Sequence, residues 1–338
     1  MHTLTVIPAL VERSQAQLMK PTLLDLMVLG TSAALLAGPL LLLARKIGWL
    51  DPRPGTEASR KRQVPAAPVG GVVLALVWFW AMPWTGTGES LDGIRWLPFP
   101  TGVGSFESPV QPVWFAVALL AALTLGSIDD WRRTGLSPAV KVGAQLAASL
   151  PLAFAAYAEG YLGLSAGLGA AFLALFCAVA AMNLFNTWDN FDGAALSLGA
   201  LAGLRGPPVL AAGCLGLLPF NLHRPPAGAA RPQLYLGDAG SHLLGMLVAL
   251  QPQLWPVLCL PALDLLRLSV ERVQRGSRPW IADRQHLAHL LSNRGHSRAQ
   301  VILALNLASA PAALLPVPLG LPLSTAAYLL LWFCSRRA

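Results

Sequence analysis

Apolar residues along this chain come in long blocks rather than in strict alternation, and the polar runs between the blocks hold most of the charge. The blocks cover about residues 22–43, 69–84, 112–128, 139–157, 165–185, 193–204, 207–222, 237–250, 254–269, 299–315 and 319–334. Most of them approach the roughly 20 residues that a helix needs to cross hydrocarbon. The pattern therefore predicts an all-α fold, a polytopic membrane helix bundle of about 11 transmembrane helices within a single domain over residues 1–338. An odd number of crossings puts the two termini on opposite sides. Two hairpins are compressed. Segments 193–204 and 207–222 offer roughly 18 and 24 Å of helix against about 30 Å of hydrocarbon and turn at Pro207-Pro208. Segments 237–250 and 254–269 turn at Gln251-Pro252-Gln253. Such pairs re-enter the membrane or thin it locally. Residues 85–111, rich in Gly, Pro and Ser, read as an external loop.

Composition strengthens the membrane reading. Of 338 residues, 55% are hydrophobic and 12% charged, with a mean hydropathy of +0.56, which is too little polar surface to coat a soluble globule of this size. The net charge of +8 raises the question of nucleic acid. No run of Lys and Arg is interleaved with stacking aromatics, so no nucleic-acid partner is expected. The basic residues instead set an orientation. With the N-terminus outside and the C-terminus cytoplasmic, all of the 24 Lys and Arg except Arg13, Lys20, Arg95 and Arg205 fall on the cytoplasmic side. Cys177, Cys214, Cys259 and Cys334 lie in apolar stretches without a CxxC pair, which implies neither a disulfide nor a zinc site. The first twenty residues show no cleavable signal pattern, so insertion is expected to rely on the first span.

Against this background the acids stand out. Asp129-Asp130, Asp189 with Asp192, Asp238, and Asp264 all sit at the ends of apolar stretches, and the orientation derived from Lys and Arg puts every one of them on the cytoplasmic face. A carboxylate at membrane depth costs several kcal/mol unless it faces protein, water or a cation, so their number implies a shared polar site. The densest string is Asn183-Leu-Phe-Asn186-Thr-Trp-Asp189-Asn-Phe-Asp192-Gly193. On a continuous helix, 183, 186 and 189 share a face and 192 follows one turn on. A polar helix cap explains one or two such residues but not five. Asp129-Asp130 precedes Arg132-Arg133 and Lys141, where interfacial ion pairing is the plainer account. Gly237-Asp238-Ala-Gly240-Ser241 opens a helix with glycines around an acid, a form that brings N–H groups and a carboxylate toward phosphate or metal, although small-residue helix packing is an alternative. Arg284, His286 and His289 suit an anionic diphosphate better than zinc. Arg60-Lys61-Arg62 serves equally as a topology signal or as headgroup contacts.

Together these strings resemble, over about residues 45–300, the polyprenyl-phosphate N-acetylhexosamine-1-phosphate transferases of glycosyltransferase family 4. Residues 51–71, with Arg60-Lys61 and Gly70-Gly71, resemble the family's first cytoplasmic loop, although Gln63 stands where a His is usual. Asp129-Asp130 with Lys141 and Gln145 is similar to its aspartate-pair motif. Asn183, Asn186, Asp189 and Asp192-Gly193 resemble its Asn/Asp signature, with Asn190 replacing a frequent Gly. Asn221 and residues 237–241 resemble the next motif. Asp264 through Arg267 and Asp283-Arg284-Gln-His286-Leu-Ala288-His289 resemble the closing motif of the N-acetylglucosamine branch, with Ala288 in place of a frequent His. The phospho-N-acetylmuramoyl-pentapeptide branch, with consecutive histidines followed by Phe-Glu, fits less well.

The resemblance implies an integral enzyme of the cell inner membrane with a cytoplasmic active site. It would transfer N-acetylhexosamine 1-phosphate, GlcNAc-1-phosphate in the favoured branch, from a UDP-sugar to undecaprenyl phosphate and release UMP. The step would open a cell-envelope polysaccharide pathway of the lipopolysaccharide or teichoic-acid kind. It implies Asp129, Asp130, Asp189 and Asp192 as catalytic residues, and Lys141, Asn183, Asn186, Asn221, Arg284, His286, His289, Arg60 and Lys61 as substrate-binding residues. Mg²⁺, or Mn²⁺ in its place, would be held by Asp238 and Asp189. The sequence leaves a homodimer open. Two rivals belong to other classes: a cation-coupled transporter, whose acids should lie near mid-span, and an inactive lipid-binding scaffold.

Overall fold

The computed structural model describes residues 23–47, 68–81, 111–132, 135–222, 234–279 and 283–336. Arg60, Lys61, Gln63 and most of the loop expected at 85–111 lie outside the described residues. The helices are α1 (Leu23–Lys46), α2 (Gly70–Ala81), α3 (Gln111–Trp131), α4 (Pro138–Glu159), α5 (Leu168–Trp188), α6 (Ala194–Arg205), α7 (Pro208–Leu222), α8 (Gly237–Ala249), α9 (Cys259–Gln274), α10 (Leu287–Asn293), α11 (Arg298–Leu314) and α12 (Val317–Arg336). Among the described residues there is no strand, only an isolated bridge between Tyr161 and Leu164.

Among the described residues, five stretches are long and apolar enough to cross a membrane: Met27–Ala44, Pro138–Glu159, Leu168–Trp188, Pro252–Gln274 and Val317–Arg336. Their outer faces carry side chains such as Phe154, Phe172, Phe176, Leu330 and Phe333 exposed, as do Leu303 and Leu307 of α11. Contiguous apolar surface on this scale suits acyl chains rather than water. The chain is a helical integral membrane protein.

The two compressed hairpins differ. In the first, α6 and α7 are the short helices expected, and Gly203 lets them touch because any Cβ there would meet the Ala211 backbone. In the second, the expected arm at 254–269 is longer than its apolar block. A 3-10 turn at Pro252–Leu258, set by Pro252 and Pro256, runs directly into α9 and gives a 23-residue stretch. Only α8, with 13 residues, is short in this pair.

α8 is the axis of the bundle. Ala239 through Ala249 are all buried, and α2, α3 and α5 pack against this helix. Hydrocarbon gives helices no hydrophobic reason to associate, so close approach of backbones does that work. Gly71 lies on the backbone of Gly240, Gly126 on that of Asp238 and Ala239, and Gly245 on that of Met182. A Cβ at Gly126 would overlap the α8 backbone. Gly126→Ala is therefore expected to cost about 1–3 kcal/mol through overpacking. The measurement is the thermal unfolding midpoint in detergent, and an unchanged midpoint would refute this contact.

Candidate active site

Four helix ends meet around one side chain. Ser137 caps α4 with its hydroxyl toward the Val140 N–H, and Pro138 occupies the first turn, which leaves Lys141 one turn inside the helix. Its Nζ lies 2.9 Å from Asp129 Oδ2 at the end of α3 and 2.9 Å from Asp238 Oδ2 at the start of α8. Asn186, in the last turn of α5, donates to Asp238 Oδ1 and, at 3.1 Å, to the Ser241 hydroxyl. The α3–α4 turn wraps Asp129, whose Oδ1 accepts the Leu136 N–H. Gly135 passes the same carboxylate with φ +68, where a side chain would be strained.

A second polar layer lies one helical turn deeper. Asn183 Nδ2 donates to Gln145 Oε1 at 2.8 Å, and Gln145 Nε2 stands 3.0 Å from His242 Nε2. His242 Nδ1 lies 2.6 Å from the Asp238 carbonyl oxygen, which can only accept. Nδ1 therefore carries the proton, Nε2 accepts from Gln145, and the imidazole is neutral. His242 is fully buried and was not foreseen. Its spacing was the available signal, since 238 and 242 share a helix face just as 141 and 145 do.

The Asn/Asp string does not continue as one helix. α5 stops at Trp188, Asp189 is its C-cap, and Gly193 with φ +88 turns the chain into α6. Asp192 thus leaves the column expected for it and pairs with Arg298 of α11 at 3.4 Å. Asn221 is buried with its amide engaged by backbone: Oδ1 accepts the Gly193 N–H at 2.5 Å, and Nδ2 donates to the Leu234 carbonyl at 2.9 Å. It braces the two glycine-bearing turns rather than presenting its amide to a substrate.

The closing motif forms a neighbouring cluster. Asp264 of α9, 1% exposed, accepts from Arg267 (2.8 Å), His286 Nδ1 (2.9 Å), the Leu287 N–H (3.2 Å) and the Tyr328 hydroxyl (3.2 Å). These bonds tie α9, α10 and α12 together. His286 and His289, three residues apart, do not stand on one helical face. His286 is the N-cap of α10, with Nδ1 held by Asp264 and Nε2 directed elsewhere. His289 lies inside α10 with its ring centroid 5.8 Å from that of Phe191 in a T-shaped contact, which links this cluster to the turn after α5. Arg284 is exposed. Partial burial would raise the Asp283 carboxyl, but hydrogen bonds from Arg272 and the Gln285 N–H outweigh it and hold the group below the usual carboxylate range.

The donor set around Lys141 fits a hard divalent cation. Asp129 and Asp238 flank one ammonium, and Asp130 lies against the first turn of α8, which leaves an excess of negative charge, and the donors are oxygens. Among the described residues no three His, Cys, Asp or Glu side chains form a ready-made cage. Mg²⁺ needs no such cage, since it takes one or two carboxylates and completes its shell with water and substrate phosphate.

Residues 112–206, from α3 through α6, match the sequence model of glycosyl transferase family 4, and this segment carries Asp129, Lys141, Asn183, Asn186 and Asp189. The chain is similar to the undecaprenyl-phosphate alpha-N-acetylglucosaminyl 1-phosphate transferase of Escherichia coli O157:H7, 26% identical over 71% of this chain and 77% of that protein. It is also similar to the decaprenyl-phosphate N-acetylglucosaminephosphotransferase of Mycobacterium tuberculosis strain H37Rv, 27% identical over 84% of this chain and 80% of that protein. The Yersinia pestis undecaprenyl-phosphate alpha-N-acetylglucosaminyl 1-phosphate transferase is 29% identical over 63% of this chain and 70% of its own length. The matched segment and these relatives support a sugar-phosphate transferase enzyme similar to those of glycosyl transferase family 4.

Proposed function

We propose that this enzyme transfers N-acetylglucosamine 1-phosphate from a UDP-sugar to a polyprenyl phosphate and releases UMP, with Mg²⁺, at the cytoplasmic face of the inner membrane. The observation that carries the reading is the Lys141 ammonium held between Asp129 and Asp238, with Asn186 on the second oxygen of Asp238, where four apolar helices end. The names of the relatives support the lipid acceptor and the sugar phosphate. The one-sided distribution of Lys and Arg supports the sidedness.

Both substrates are anionic, so their approach is opposed by Coulomb repulsion. Lys141 stands where it can exchange its carboxylate partners for a phosphate oxygen of the lipid. That phosphate has a second pKa near 6 and is mostly dianionic at neutral pH, so a strong base is unnecessary. Asp129 accepts the remaining proton or orients the acceptor. Asp238 and Asp189 would hold Mg²⁺, which when bound offsets the charge of the diphosphate and of the departing phosphate. His286, aligned through Asp264, would join His289 and Arg284 in stabilising UMP as it leaves. In the transporter alternative the acids belong at mid-span; here Asp129 lies in the last turn of α3 and Asp238 in the first turn of α8.

Purified protein given undecaprenyl phosphate, Mg²⁺ and a panel of UDP-sugars is expected to release UMP fastest with UDP-N-acetylglucosamine and only when lipid and metal are both present. No release with any donor would remove the transferase reading.

A further inference from the structure

The two acids of the aspartate pair have different partners. Asp130, buried at the end of α3, accepts the Asp238 N–H on Oδ1 and the Ala239 N–H on Oδ2, both at 3.0 Å. Those N–H groups belong to the first turn of α8, where intrahelical partners are missing. The residue that precedes the helix, Leu236, has helical angles and supplies no side-chain cap. Gly237 completes the fit: its φ is +73, and a Cβ there would run into Asp130 Oδ2 and Pro68. A carboxylate bound through both oxygens at the positive end of a helix is fixed in orientation and fixes the helix in return. It also fills the anion cradle that the Gly-Asp-Ala-Gly-Ser string suggests for a phosphate.

We propose that Asp130 is a positioning residue, a cap supplied from α3 that aims Asp238 at Lys141 and Asn186, while Asp129 is the member of the pair that faces the reacting groups. The substrates named here rest on the transferase reading; the cap does not. Asn at 130 keeps the shape but replaces one acceptor oxygen with a donor, so one of the two α8 amides loses its partner.

The test compares full-length wild type, Asp130→Asn, Asp130→Glu and Asp129→Asn in the same detergent. Amide hydrogen exchange over residues 236–242 is expected to speed up in Asp130→Asn, and to stay at the wild-type rate in Asp129→Asn and in Asp130→Glu, which keeps both oxygens. The kcat of Asp130→Asn is expected to fall on the order of 10–100-fold, with KM for the nucleotide sugar and the shape of the pH–rate profile unchanged. Unaltered exchange in Asp130→Asn would overturn the cap. Unaltered kcat, or loss of a limb of the pH profile in that variant, would overturn the positioning role. A wild type that releases no UMP from any donor would sink the transferase reading instead, and the exchange measurement would still decide the cap.

Discussion

Asp238→Asn is expected to lower turnover by about 1,000-fold while the protein still folds. The substitution keeps the shape of the side chain, and the backbone N–H of residue 238 still reaches Asp130. Its effect is electrostatic. The carboxylate accepts from Lys141 on one oxygen and from Asn186 on the other, so an amide must turn its NH₂ toward one of these two donors. It also removes one of the negative charges that would hold a divalent cation against the diphosphate. The checks are the initial rate of UMP release and a thermal unfolding curve in detergent. A folded variant that retained more than about a tenth of wild-type turnover would remove Asp238 from the reacting centre.

The second large effect is on stability. Asp264→Ala withdraws the one carboxylate shared by Arg267, His286, the Leu287 N–H and Tyr328, in a place with almost no access to water. Arg267 would keep Glu271 at 3.1 Å, but the hydroxyl of Tyr328 and the ring of His286 would lose their acceptor. Removing one partner of a buried ionic network typically costs about 3–5 kcal/mol. Chemical unfolding in micelles should show a loss of this size, whereas a loss below about 1 kcal/mol would mean that Asp264 does not hold α9, α10 and α12 together. Catalysis should suffer as well, because His286 would no longer be held at Nδ1.

The helices were legible because charge interrupts the apolar blocks only at their ends. Where the sequence reading fell short, local chemistry or distance was responsible. α10 is only seven residues long and follows a polar stretch, so no apolar block announced it. The Pro252–Leu258 turn was hidden by two prolines that normally argue against a helix, although both are compatible with a tight 3-10 path. Asp192 was placed on an extended α5 because periodicity was carried past a stop signal that was present: Gly193 adopts a left-handed conformation there. The convergence of Asp129, Lys141, Asn186 and Asp238 was expected in outline. What no local pattern reveals is which oxygen meets which donor. Asp129 and Asp130 are neighbours in the chain, yet one folds back on its own turn and the other reaches a helix 108 residues away.

The most direct measurement follows the β-phosphorus of the donor. With UDP-N-acetylglucosamine labelled with ³²P at the β position, transfer of a sugar 1-phosphate carries the label into the organic-soluble lipid and leaves the released nucleotide as unlabelled UMP. That is the expected result, with lipid labelling abolished by Asp238→Asn. Label recovered in UDP, with an unlabelled lipid-linked sugar, would show that the enzyme moves the sugar alone and would contradict this account of its chemistry.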